Sequence, residues 1–150
     1  MRRTLAILAA LALAAPSLAA PVEMGSLVIE QASASASIGR STTSAAYLTI
    51  RNRGTETDRL LDAASPAAER VGLHVSLMEG GTMRMLAVDR LDIPPGETVT
   101  MRPGAGLHLM LEGLREPLRD GAGVPMTLRF ERAGTVDLVA EVVPIGGHRH

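Results

Sequence analysis

Apolar and polar residues alternate along most of this chain in short runs. In GLHLM, Gly106 to Met110, the leucines at 107 and 109, continued by Leu111, alternate with His108 and Met110. That is the period of a strand with one face turned to a core. Val71 to Met78 repeats it, with Leu73, Val75 and Leu77 on one face and His74, Ser76 and Met78 on the other. Ser26 to Gln31, Ala45 to Arg51, Arg59 to Ala63, Thr82 to Val88 and Glu97 to Met101 read as further strands. Val124 to Glu131 and Val136 to Val143 read as a closing hairpin about Ala133-Gly134. Turn signals separate them: Asn52-Arg53-Gly54, Glu79-Gly80-Gly81, Pro94-Pro95-Gly96 and Arg102-Pro103-Gly104. The small-residue stretch ASASASIGRSTTS reads as a loop or a pale edge strand, and Ser65-Pro66-Ala67-Ala68 as a loop or one helical turn. Pro117 to Gly123 reads as a loop. Short strands recurring about every 8 to 12 residues, with no helical period, predict an all-β antiparallel sandwich or barrel.

The first residues break this pattern. MRRTLAILAALALAAPSLAA puts Arg2 and Arg3 before an apolar run and then small residues suited to cleavage after Ala19. This is the layout of a signal peptide at 1–19. The run is short of the roughly 20 apolar residues that a spanning helix needs, so no membrane span is expected after cleavage. The expected location is the periplasm, with one domain over 20–145 and a flexible tail over 146–150.

Composition then removes function classes. The formal charge of −1 carries no strong bias, and all fifteen basic residues are scattered arginines. Tyr47 and Phe130 are the only aromatics, so stacking platforms for nucleic acid are missing. The chain has no cysteine, hence no disulfide, no thiolate nucleophile, no blue-copper ligand and no lipoprotein cysteine. No G-x-S-x-G elbow or clustered carboxylate site is present, so a binding protein is expected rather than an enzyme.

What stands out is histidine and methionine. The body of the domain holds two histidines, His74 and His108, each close to a methionine in sequence. A hairpin at Glu79-Gly80-Gly81 would bring Met83 and Met85 to the face that carries His74. Met24, Met101 and Met126 read as core filler, and Met78 and Met83 as packing or rim residues. Thioether sulfur is soft and suits Cu(I), imidazole binds copper well, and thioethers need no deprotonation. Zinc would want Cys, more His or carboxylate. His148 and His150 form an H-x-H on a glycine-hinged tail. This is either a secondary Cu(II) site or a solvated polar end.

The segment Leu73 to Leu114 resembles the periplasmic copper chaperones of the PCu(A)C family. Their pattern is His, ten residues, Met, about twenty-one residues, then His-x-Met. His74 and Met85 keep the first spacing. Met85 and His108 are one residue further apart than the pattern, the extra residue falling in RPGAG. Ala45 to Asn52, Ser65 to Ala68, Ile93 to Gly96 and Leu114 to Phe130 match as well. The resemblance implies a cupredoxin-like antiparallel β-sandwich of Greek-key type, binding Cu(I) through His74, Met85, His108 and Met110. It further implies a monomeric metallochaperone that delivers copper toward the copper centres of cytochrome c oxidase, directly or through another copper chaperone. The competing expectations are a periplasmic copper storage or tolerance protein and a metal-free exported interaction module. The metal-free module would place His74 and His108 far apart.

Overall fold

The computed structural model describes residues 20–104 and 106–144. They form eleven strands and no helix: β1 (Val22–Met24), β2 (Leu27–Ser35), β3 (Thr43–Asn52), β4 (Asp58–Ala64), β5 (Ala68–Glu79), β6 (Thr82–Ala87), β7 (Leu91–Ile93), β8 (Thr98–Thr100), β9 (Leu107–Leu114), β10 (Gly123–Phe130) and β11 (Gly134–Val143). The leader and the His148–His150 tail lie outside the described residues. Among the described residues no helix is long and apolar enough to cross a membrane.

Seven strands close on themselves in the order β2-β11-β10-β4-β5-β9-β3, and β3 returns to β2. Closure leaves these seven without a free edge. Every pairing is antiparallel except β11 with β2, which run parallel from Glu141↔Ser33 to Val143↔Ser35. The remaining strands attach outside the ring: β1 to β2, β6 to β5, β7 to β4 and β8 to β3.

The alternation seen in the sequence is what fills the interior. Leu109 and Leu111 of β9, Leu48 and Ile50 of β3, and Val124, Met126, Leu128 and Phe130 of β10 are all buried, as are Val136, Leu138, Ala140 and Val142 of β11. Besides His108, three polar side chains are buried with them, and each is hydrogen-bonded, as buried polar groups generally are. The Asn52 amide donates to the carbonyls of Glu56 (2.7 Å) and Ile93 (2.9 Å) and accepts from Gly54 N–H (2.9 Å). The Asp58 carboxylate accepts from the backbone N–H groups of Arg59, Arg132 and Ala133, holding the β10–β11 turn. The Ser65 hydroxyl donates to the Pro125 carbonyl at 2.6 Å.

Several details differ from the sequence reading. Strands β1 and β7, three residues each, are too short to leave a periodic signal. The small-residue stretch divides: Ala32 to Ser35 continue β2 and Ala36 to Thr42 form the loop. The strand crosses a bulge to do so, because its register with β3 shifts between Glu30 and Ser33 where Gln31 takes a φ of 55°. Ser65 to Ala67 make a turn with no helix.

Candidate metal centre

The site follows from how β5, β6 and β9 lie side by side. Gly80 and Gly81 both adopt positive φ, 56° and 80°, the conformation of a tight hairpin turn that fixes register. Their turn sets Glu79 opposite Thr82, and therefore Met78 opposite Met83 and Ser76 opposite Met85. On its other side β5 pairs with β9, where His74 stands opposite His108 and Gly72 opposite Met110. One face therefore carries Gly72, His74, Ser76 and Met78 on β5, His108 and Met110 on β9, and Met83, Met85 and Ala87 on β6. The two imidazoles lie with ring centroids 6.1 Å apart and planes tilted by 55°. With metal–nitrogen bonds near 2.0 Å, an ion sits about 3.2 Å from each ring centre, so this spacing admits one ion between the rings. A metal-free module with distant histidines is not what the fold shows.

The histidines are held differently. His108 is only 7% exposed, although the alternation had put it on the outward face. Its strand is interior to the ring, with β5 and β3 on either side, and His74 and Met110 stand beside it. Its Nδ1 lies 3.2 Å from the Gly106 carbonyl. A carbonyl only accepts, so Nδ1 carries the proton and Nε2 keeps its lone pair for a ligand. Burial pulls the His108 pKa below its ordinary 6.5, the Gly106 carbonyl pushes it up, and the neighbouring His74 lowers it. The net effect keeps the ring neutral, the form that binds metal.

His74 folds back over Gly72. Its Cε1 and Nε2 lie 3.6 and 3.7 Å from where a Cβ on that glycine would stand. Its Nδ1 is buried and is the one buried side-chain nitrogen or oxygen among the described residues with no hydrogen-bond partner. Such an orphan costs about 1–3 kcal/mol, a cost that a bound cation offsets. Met110 is half-buried between two small neighbours, Gly72 on β5 and Ala45 on β3. Met85 is 49% exposed at the outer edge.

The extra residue in RPGAG leaves the strand in register. Gly106 takes a φ of 92°, and its carbonyl also accepts the Ser76 N–H at 2.8 Å. Val75↔Leu107 and His74↔His108 then pair without a shift. Gly106 is the residue that reading for ligands passes over. Its signal was available, as the glycine directly before the strand.

Hard donors do not cluster on this face. Among the described residues no three His, Cys, Asp or Glu side chains gather where a metal could bind. The nearest carboxylate in the row, Glu112, is taken by Arg70 at 2.7 Å. Two imidazoles flanked by thioethers remain, a soft donor set. Met101 and Met126 are buried core filler, as the sequence implied. Met78 and Met83 are 67% and 63% exposed and stand opposite each other at the hairpin end of this face.

Comparison with known proteins places this geometry. Residues 27–142 match the family model "Putative lipoprotein LpqE-like". A curated relative, "Putative lipoprotein Lxx21020" of Leifsonia xyli subsp. xyli, is 35% identical over 104 residues, or 69% of this chain. The aligned part spans 62% of that relative's length. The copper-bound PCuAC domain from PmoF2 is 28% identical with a TM-score of 0.72, over 83% of this chain and 98% of that domain. The solution structure of CuI-DR1885 from Deinococcus radiodurans is 30% identical with a TM-score of 0.60, over 82% of this chain and 80% of its own. Its apo form gives a TM-score of 0.63 at 30% identity, over 99% of this chain and all of that one. The chain thus belongs to the LpqE-like family, which is the family of the PCuAC domains.

Proposed function

We propose that this protein is an exported carrier of monovalent copper, held by His74, Met85, His108 and Met110. It hands the ion toward the copper centres of cytochrome c oxidase, directly or through another chaperone. The observation that carries the reading is the direct cross-strand pairing of His74 and His108, with one imidazole nitrogen buried and without a partner. Thioethers flank the pair on both sides, and copper-bound relatives share the fold. The leader-like first residues and the lipoprotein names of the family and its relative support export.

Copper is the cargo here, and release matters as much as capture. Two imidazoles and two thioethers carry no charge, so the bound ion keeps its positive charge and stays exchangeable. A thiolate would hold it harder and would be lost to disulfides outside the cytoplasm. The ligands are also graded in depth, from buried His108 to exposed Met85. An acceptor's ligand can displace Met85 first and reach the histidines last.

Anaerobic Cu(I) titration against a chromophoric chelator, with X-ray absorption of the loaded protein, tests this. One ion per chain with a mixed nitrogen and sulfur shell is expected. His108→Ala and Met85→Ala are each expected to weaken binding at least tenfold. Unchanged stoichiometry and affinity in both variants would refute the four-ligand assignment.

A further inference from the structure

Three methionines crowd the outer end of the same face. Met78 and Met83 are directly opposed across the β5–β6 hairpin, and Met85 lies two residues further along β6. They are 67%, 63% and 49% exposed, whereas Met101 and Met126 in the core are 2% exposed. Directly opposed strand residues have Cβ atoms about 4.5–5.5 Å apart and diagonal ones about 7–8 Å, both within reach of flexible thioethers. No charged side chain shares this face of the hairpin. His74, Ser76 and Met78 occupy it on β5, and Met83, Met85 and Ala87 on β6. The charges of the hairpin, Glu79 and Arg84, pair with each other at 2.7 Å and alternate onto the other face. The glycine turn fixes the opposition of Met78 and Met83, so the cluster does not depend on a mobile segment.

We propose that Met78, Met83 and Met85 form a second, weaker site of three thioethers, through which a soft monovalent cation enters and leaves the histidine site. The inference rests on the Cu(I) reading above and extends it to a route. Met85 belongs to both donor sets, to the histidines on one side and to Met78 and Met83 on the other. A cation moving between them exchanges imidazole for thioether while keeping the Met85 sulfur, so it is never without ligands. Three neutral thioethers lacking imidazole bind more weakly than the mixed set, as a transfer site must. Neither oxidation state nor protonation changes along the route.

The test follows the methionine methyl groups by NMR in protein labelled at methionine, with silver(I) as a redox-inert probe. In the wild type, Met85 and Met110 are expected to shift with the first equivalent, and Met78 and Met83 with the second, in faster exchange. The double variant Met78→Leu/Met83→Leu keeps the size and apolarity of both exposed side chains. It is expected to hold one Cu(I) per chain but to surrender it to bicinchoninate at least fivefold more slowly in stopped flow. Unmoved Met78 and Met83 methyls, or an unchanged transfer rate, would overturn the proposal. Titrating His108→Ala with silver(I) separates the two ideas. In His108→Ala the histidine reading predicts loss of the Met110 shift while those of Met78, Met83 and Met85 remain, and a Met110 shift retained as in wild type would count against that reading alone. Met78 and Met83 methyls that stay unmoved in the variant and wild type alike would count against the thioether site alone.

Discussion

At the scale of single residues, the two histidines differ in what they cost the metal-free protein. The buried His74 Nδ1 has no partner, and removing such a group in favour of an apolar side chain is near neutral or stabilising. His74→Leu is therefore expected to leave the metal-free protein as stable as wild type, or up to about 1 kcal/mol more so. Copper affinity should fall at the same time. Urea unfolding with a Cu(I) titration checks both, and a clear loss of stability would count against the orphan nitrogen. His108 acts through pH. Burial first, and His74 after the opposing Gly106 carbonyl, leave its folded pKa below the ordinary 6.5. Between those two values the unfolded chain binds more protons than the folded one, so stability rises with pH across that window. The metal-free protein is expected to weaken as pH falls from above 6.5 toward the folded value. His108→Asn should flatten that slope, and an equal slope in wild type and variant would contradict the assignment.

At the scale of elements, the geometry depends on two glycine-controlled segments, the β5–β6 turn and the entry to β9. A Cβ on Gly106 would stand 3.2 Å from the Ser76 carbonyl, at a φ of 92° that L side chains rarely adopt. Gly106→Ala is expected to cost about 1–3 kcal/mol and to weaken copper binding, because the carbonyl that orients His108 moves with it. Denaturant midpoints and the chelator titration read the two effects. A destabilised variant with wild-type copper affinity would show that the carbonyl does not position the ring. Most elements were legible from alternation, since Leu107, Leu109 and Leu111 or Leu73, Val75 and Leu77 declare a core face without help from the rest of the chain. The Gly80-Gly81 turn was legible for the same local reason. The placement of β9 between β5 and β3 was not, because strand order depends on contacts distant in sequence. It is that placement which buries His108 and turns two separate histidines into a cross-strand pair. The resemblance implies that the two histidines share one site, and the β5–β9 pairing is what sets them directly opposite each other.

At the scale of the whole molecule, the closed ring explains how a chain without disulfides holds a shaped site. Strands β5 and β9 both belong to the ring, and an ion bound between His74 and His108 ties neighbouring staves of it together. The unfolded chain scatters those residues, so on the proposed ligand set copper is expected to bind the folded state preferentially and to stabilise it by mass action. With free Cu(I), buffered anaerobically, at a thousand times the dissociation constant, the gain is about 4 kcal/mol. For a domain of this size that raises the midpoint of thermal unfolding by on the order of 10–20 °C. Scanning calorimetry in a chelator-buffered series should show the midpoint climbing with the logarithm of free Cu(I). His108→Ala should climb far less over the same range, and Met78→Leu/Met83→Leu nearly as much as wild type, because the thioether route changes rates and leaves the deep site intact. A rise of equal size in His108→Ala would place the stabilising ion somewhere other than between the two imidazoles.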